Sequence, residues 1–186
     1  MKNLTDEEIM QAVADGQLKK LSILFDRYHV RIYNFFNKMV QNKMVSEDLT
    51  QEVFIKVLKY RASYNNGNFT SWLYTIARNI FSSYYQKQKK ERANVIEDDV
   101  LHSGEKLYTE TNDEALEHLQ NSLLKLNTTD RELIVMHKLQ EIKYEQIAEI
   151  IGSSENAVKV KAHRALKKLK EIYFQSSKTI GNTINE

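Results

Sequence analysis

Between Glu155 and Lys170 six cations, Lys159, Lys161, Arg164, Lys167, Lys168 and Lys170, face a single carboxylate, Glu155. Cations at that density do one kind of chemistry well: they hold anions, phosphates above all. A second basic block contains Arg78, Lys87, Lys89, Lys90 and Arg92 with only Glu91 opposing. Between the blocks lies an acidic stretch, Glu97, Asp98, Asp99, Glu105, Glu110, Asp113, Glu114 and Glu117, relieved only by Lys106. The formal net charge of +2 hides this segregation. Two basic patches separated by acid point to two anion-binding surfaces. Bond-making chemistry has no such footing. The five histidines, His29, His102, His118, His137 and His163, form no His-Glu-x-x-His pair, and there is no glycine-rich phosphate loop. Cysteine is absent, which removes disulfides, thiolate metal sites and cysteine catalysis. The expectation is a binding protein with no catalytic residue, no metal and no cofactor.

The basic block from Lys159 to Lys170 sits in the most informative segment, YEQIAEIIGSSENAVKVKAHRALKKLKE (144–171). It reads as a short helix, a tight turn at Gly152-Ser153-Ser154, and a basic helix. Ala148 is small where two crossing helices must approach. Gly152 can take the positive φ that the turn requires. In the second helix Val158, Ala162, Ala165, Leu166 and Leu169 share one face at 100° per residue. Asn156, Val160, His163, Arg164 and Lys167 occupy the opposite face, with Lys159 and Lys161 beside them. This is a helix-turn-helix whose second helix can enter a DNA major groove. Arg164 suits a guanine edge, and the lysines suit phosphates.

The rest of the chain must position that unit. Proline is absent and there are 5 glycines in 186 residues, so little interrupts a helix. An all-α protein is expected. Residues 4–16 read as a short helix capped by Thr5 or Asp6. From Leu18 to Val40, Leu21, Leu24, Phe25, Tyr28, Ile32, Phe35, Phe36 and Met39 recur at threes and fours. Ser46 followed by two acids starts a helix to about Tyr60. Residues 63–68 form a loop by turn chemistry, and a long helix follows from about Phe69 to Lys90. Residues 93–113 lose periodicity and read as a flexible acidic linker, with a little helix near Val95 to Val100. Helices then start near Asp113, at Asp130 for about ten residues, at Tyr144 and at Glu155. The tail after Ser176 is expected to fray. No apolar run is long enough to span a membrane, so no membrane insertion is expected. The first eight residues lack an apolar signal core. A cytoplasmic protein fits.

Three stretches in the first half carry a resemblance: FDRYHVRIYNFF (25–36), SEDLTQEVFIKVLKY (46–60) and NFTSWLYTIARN (68–79). In order and spacing they resemble region 2 of the sigma-70 family of RNA polymerase sigma factors, in its extracytoplasmic-function form. Residues 123–173 resemble region 4 of the same family. The resemblance implies two small helical domains, region 2 over 1–92 and region 4 over 114–175, joined by the linker 93–113 and followed by the tail 176–186. It implies core RNA polymerase and promoter DNA as partners, and an anti-sigma factor as regulator.

Residue by residue, the polymerase-docking surface falls on Asp48, Gln51 and Glu52. Ile55 lies among them, and an apolar residue in a polar stripe suits docking more than plain solvation. Behind them Leu49, Val53, Phe54, Val57 and Tyr60 supply an apolar arc. On the helix from Phe69, the inward set is Phe69, Trp72, Leu73, Ile76, Ala77, Ile80 and Tyr84, which makes Trp72 core rather than a base-stacker. The outer set is Ser71, Tyr74, Thr75, Arg78, Ser82, Tyr85, Gln86 and Lys89. Aromatics interleaved with cations suit unpaired bases and their phosphates. By resemblance, the loop at Asn65, Asn66 and Asn68 sits where the family traps a base flipped from the −10 element, and an amide can read a base edge. The −10 contacts are therefore expected at Asn65, Asn66, Asn68, Tyr74, Arg78, Asn79, Tyr85 and Lys89. The −35 contacts are expected at Asn156, Lys159, Val160, Lys161, His163, Arg164 and Lys167.

The chain departs from the family pattern in places. Asn127 stands where region 4 usually has proline, although Asn127, Thr128 or Thr129 can cap the next helix. Ala157 replaces the usual threonine, and Val160 a small polar residue. These changes bear on base preference. The rival reading is a stand-alone helix-turn-helix repressor that binds a two-fold site as a dimer. It needs no polymerase, whereas a sigma factor does.

Overall fold

The structure is a computed structural model that describes residues 4–94 and 114–182, with side chains described for 4–91 and 114–175. Among these residues every regular element is helical. The chain divides into two compact units, Met1–Leu107 and Tyr108–Glu186. The acidic segment, the expected linker from residue 95 on, and the short helix expected at Val95 to Val100 lie outside the described residues, apart from Glu114 and Glu117.

The first unit begins with α1 (Asp6–Ala14), closed by a full capping box. The Glu8 N–H donates to Thr5 Oγ1 at 3.2 Å and the Thr5 N–H donates to Glu8 Oε2 at 2.8 Å. A 3₁₀ turn at Leu18–Lys20 leads into α2 (Leu21–Val40), which ends where Gln41 turns left-handed at φ 49°. Helix α3 (Lys43–Tyr60) then starts earlier than the sequence suggested. Its cap is Asn42, whose Oδ1 accepts from the Val45 N–H at 3.0 Å. Ser46 lies inside the first turn, fully buried, and donates back to the Asn42 carbonyl at 2.6 Å. The two acids at 47 and 48 drew attention to Ser46, but they follow the first turn rather than open it. Helix α4 (Phe69–Asn94) completes the unit.

The core of this unit is aromatic. Tyr28 and Phe69 meet edge-on at 5.2 Å, Phe35 and Tyr74 at 5.7 Å, and Tyr64 and Trp72 at 5.3 Å. Edge-on rings pair a positive rim with a negative face and add ~0.5–1.5 kcal/mol each beyond their burial. The chain's one tryptophan is half-buried against Phe69 and Tyr64, a core edge as expected.

The second unit is α5 (Glu114–Leu124), α6 (Thr128–Ile134), a π turn at Val135–Leu139, α7 (Tyr144–Ile151) and α8 (Glu155–Asn182). Asn127 caps α6, accepting from the Asp130 N–H at 2.8 Å, so the missing proline is replaced by a capping amide. Arg131 closes α5 from outside: its guanidinium donates to the carbonyls of Leu123 (3.0 Å), Leu124 (2.7 Å) and Leu126 (3.1 Å). Carbonyls at a helix end lack the usual partners within the helix, although that of Leu123 also accepts from the Leu126 N–H at 3.2 Å. Leu123, Leu126, Ile134, Ala165 and Leu169 form a core cluster, flanked by Leu119, Leu166 and Ile172. Helix α8 continues past Ser176, where fraying was expected, and runs through Gly181 to Asn182.

Buried tyrosines give the first unit a pH limit. Burial, the hydrogen bond to Asp6 and that carboxylate's charge push the Tyr28 hydroxyl up to about 12. Burial, then the charges of Glu7 and Asp6, push Tyr64 up to about 12, and burial pushes Tyr74 up as well. A hydroxyl that keeps its proton longer when folded stabilises the fold fully below pH 10, and that stability is lost as pH rises through about 12. Lys38, whose ammonium is held below its usual range by burial, pulls the other way, one group against three. Unfolding of the first unit, followed by Trp72 fluorescence in urea, should show a midpoint that is flat from pH 8 to 9.5 and falls steadily above pH 10.

Candidate nucleic-acid interface

The turn between α7 and α8 is built as the helix-turn-helix requires. Gly152 ends α7 at φ 67°, ψ 46°, and the Ser153 N–H donates to the Ala148 carbonyl at 2.9 Å. A Cβ at Gly152 would meet nothing within 4 Å, so the demand for glycine comes from the backbone angle and not from crowding. Ser154 Oγ then accepts from the Ala157 N–H at 3.3 Å and opens α8. Ala148, Val158, Ala162, Ala165 and Leu169 are buried, and Leu166, expected on the same face of α8, is half-buried against the core cluster.

Everything on the other side of α8 is exposed: Asn156, Lys159, Val160, Lys161, His163, Arg164 and Lys167. Val160 is 50% exposed, an apolar residue with no core to join. Asn156, Val160, His163, Arg164 and Lys167 follow one another at four, three, one and three residues, which keeps them on a single stripe. Two of the cations in this block are held by carboxylates. Lys159 pairs with Glu155 at 2.7 Å, and Lys168 reaches Asp130 on α6 at 2.5 Å. Among the described residues no carboxylate pairs with Lys161, Arg164 or Lys167.

Helix α4 carries the second basic surface. Arg78, Tyr85 and Lys89 are separated by seven and four residues and form one stripe. Tyr85 is 48% exposed and stacks on Phe81 with ring centres 6.2 Å apart. Asn79 is exposed at the edge of that stripe. Tyr74 is not with them. It is fully buried, edge-on to Phe35, with its hydroxyl bonded to Arg31. Ser71, also expected outside, is buried. Both corrections have one cause. Helix α4 packs against α1, α2 and α3 together, so its buried arc is wider than the single apolar stripe the sequence showed, and Phe81 joins the core as well.

The loop before α4 is held from three directions. The Tyr64 hydroxyl donates to the Gly67 carbonyl at 2.5 Å. Asn68 Oδ1 accepts from the Ser71 N–H at 2.8 Å and so caps α4. Glu7, on α1, accepts from the Phe69 N–H at 3.1 Å. Asn65 and Asn66 are exposed beyond these ties, and Asn66 is left-handed at φ 60°. The sequence reading missed Tyr64 and Glu7. Nothing in a local pattern links Glu7 to a residue 62 positions away.

On α3 the stripe Asp48, Gln51, Glu52 and Ile55 faces out while Leu49, Val53, Phe54 and Val57 are buried. Ile55 is 65% exposed and Tyr60, expected inside, is 44% exposed. Glu52 pairs with Lys56 at 3.0 Å.

Two substitution pairs separate these roles. Gly152→Ala should cost ~1–2 kcal/mol of the second unit's stability, and Gly152→Asn distinctly less, in denaturant melts followed by helix circular dichroism. Tyr74→Ala should cost ~3 kcal/mol or more in the same melts, whereas Tyr85→Ala should leave stability within ~0.5 kcal/mol.

The geometry agrees with known proteins. The model for Sigma-70 region 2 matches residues 24–91, and that for Sigma-70, region 4 matches residues 116–169. The RNA polymerase sigma factor CarQ of Myxococcus xanthus is 30% identical over 88% of this chain and 94% of its own. The ECF RNA polymerase sigma factor SigM of Bacillus subtilis is 30% identical over 81% of this chain and 93% of its own. The sigma factor RpoE from Bartonella quintana, solved in complex with the anti-sigma factor NepR, shares the fold with a TM-score of 0.67 and 24% identity, over 83% of this chain and 96% of that one. With both regions matched in order, and relatives aligned over nearly their whole length, this chain belongs to the sigma-70 family of RNA polymerase sigma factors, in its extracytoplasmic-function branch.

Proposed function

We propose that this chain binds core RNA polymerase through the outer stripe of α3, holds the opened −10 element with the loop at Asn65, Asn66 and Asn68 and with Arg78, Asn79, Tyr85 and Lys89 on α4, and reads the −35 duplex with Asn156, Lys159, Val160, Lys161, His163, Arg164 and Lys167 on α8. Direction of transcription initiation is the family's role. The division of residues among the three surfaces is our reading. One observation carries it: the two basic faces differ in kind. The face on α8 is a narrow polar stripe backed by a helix-turn-helix, which suits a duplex groove. The face on α4 sets an exposed tyrosine between cations beside a loop of exposed amides, which suits separated bases.

No bond is made or broken by this chain in the scheme. Opening is driven by binding. Extruding a base costs a few kcal/mol, and stacking on a ring returns ~1–3 kcal/mol per base. Cations on both faces release counterions from phosphates, so promoter binding by the holoenzyme weakens steeply with salt. An anti-sigma factor is the regulatory partner we propose, as in the RpoE complex. The proposed compartment is the cytoplasm. Among the described residues no helix is long and apolar enough to cross a membrane.

Two variants test the surfaces separately. Asp48→Arg with Gln51→Ala should weaken binding to core polymerase about tenfold or more, because a cation replaces a carboxylate of the stripe. If binding is unchanged, the α3 assignment is wrong. Arg164→Ala should remove ~1–3 kcal/mol of discrimination at one −35 base pair while leaving core binding intact. Unaltered −35 preference in holoenzyme footprints would contradict the α8 assignment.

A further inference from the structure

The loop proposed to hold the −10 base is short, exposed and carries three asparagines, and its conformation is fixed by ties at both ends, one of them from a distant helix. Its far end is tied to α1. Glu7 Oε1 accepts from the Phe69 N–H at 3.1 Å, at the first residue of α4. That N–H is one of the unsatisfied donors of a helix start, and a carboxylate there also answers the positive end of the helix. Glu7 is itself held in register by its neighbour. Asp6 takes the Arg27 guanidinium at 2.5 Å and the Tyr28 hydroxyl at 2.5 Å, and Tyr28 in turn lies 3.2 Å from Thr70 Oγ1 on α4. The near end of the loop is tied by Tyr64 to the Gly67 carbonyl, and that tyrosine is buried edge-on against Trp72. Between the ties the three asparagines are unequal. Asn68 uses its Oδ1 to cap α4. Asn65 and Asn66 make no side-chain hydrogen bond among the described residues, and both are exposed.

We infer that Glu7 is a positioning residue for −10 recognition: by clamping the start of α4 it holds the Asn65–Asn66 segment in the shape that accepts an unpaired base, and Asn65 and Asn66, rather than Asn68, present the reading amides. This rests on the reading of the loop given above. Glu7 touches no DNA in the scheme. Its effect runs through the Phe69 N–H to the backbone of the loop. The left-handed backbone of Asn66 is the feature most exposed to loosening, since a non-glycine residue at φ 60° is held there by its surroundings.

The test measures binding of holoenzymes, reconstituted with full-length variants, to a fluorescent single-stranded −10 oligonucleotide in which each position is changed in turn. Glu7→Ala should flatten the base preference at one position about tenfold, the worth of a charge-assisted hydrogen bond spent on shape. Glu7→Gln keeps an acceptor and should retain part of that preference. Binding to core polymerase and preference at the −35 element should not change. Asn66→Gly, which permits the same backbone angle but removes the amide, should flatten the same position. The inference is overturned if Glu7→Ala keeps full preference while Asn66→Gly loses it, for then the loop reads without the clamp. It is also overturned if Glu7→Ala weakens core binding, −35 preference and −10 preference alike, which marks a general loss of fold. If neither variant moves any −10 preference, the loop is not the reader, and the inference falls together with the reading beneath it.

Discussion

The Phe69 ring, fully buried, is the joint on which the first unit turns. Tyr28 from α2 meets it at 5.2 Å, Tyr64 from the end of the preceding turn at 6.4 Å, and Trp72 from the next turn of α4 at 6.3 Å. Its backbone N–H is bound by Glu7 from α1. Because Phe69 is also the first residue of α4, its burial fixes where that helix begins, how it is rotated, and therefore which residues remain outside. A helix buried over a broad arc has only a narrow stripe left for other work. On α4 that stripe holds Arg78, Tyr85 and Lys89.

The second unit obeys the same constraint with different means. Its core is aliphatic, and α8 buries Val158, Ala162, Ala165 and Leu169. Small residues at 162 and 165 let α8 lie close to its neighbours, while its polar side stays exposed. The turn that aims it depends on a single left-handed glycine. Electrostatics then sorts the cations. Lys159 and Lys168 are compensated by Glu155 and Asp130, exposed pairs worth little to stability. They do lower the charge at the margins and leave Arg164, Lys167 and Lys161 as the positive centre.

Periodicity made much of this legible. The helices, the helix-turn-helix, the inward face of α8 and the exposed stripe of α3 follow from apolar spacing, because each of those helices shows one clear buried side. Helix α4 was harder. Its wheel reads as one apolar stripe, but three helices pack on it, and Tyr74 and Ser71 are drawn into the core from what looked like the outer face. Caps were legible only where the capping residue adjoined the pattern. Thr5 and Asn127 were among those named, whereas Asn42 lay before the start suggested by Ser46. The ties on the loop could not be read at all. Glu7 reaches Phe69 across 62 residues, and a single hydrogen bond between distant helices leaves no local trace. Similarity to the family supplied what spacing could not: the sigma-70 regions to which the two basic faces belong, on which their proposed division between separated strands and duplex rests.

The central claim is that these two faces act together on a shared polymerase. Transcription by purified core polymerase on genomic fragments, with and without this protein, tests it most directly. The account predicts new start sites that appear only when both are present, each preceded by an asymmetric pair of elements. Failure of the protein to associate with core polymerase, or gene control exerted by the protein alone at a two-fold duplex site, would contradict it.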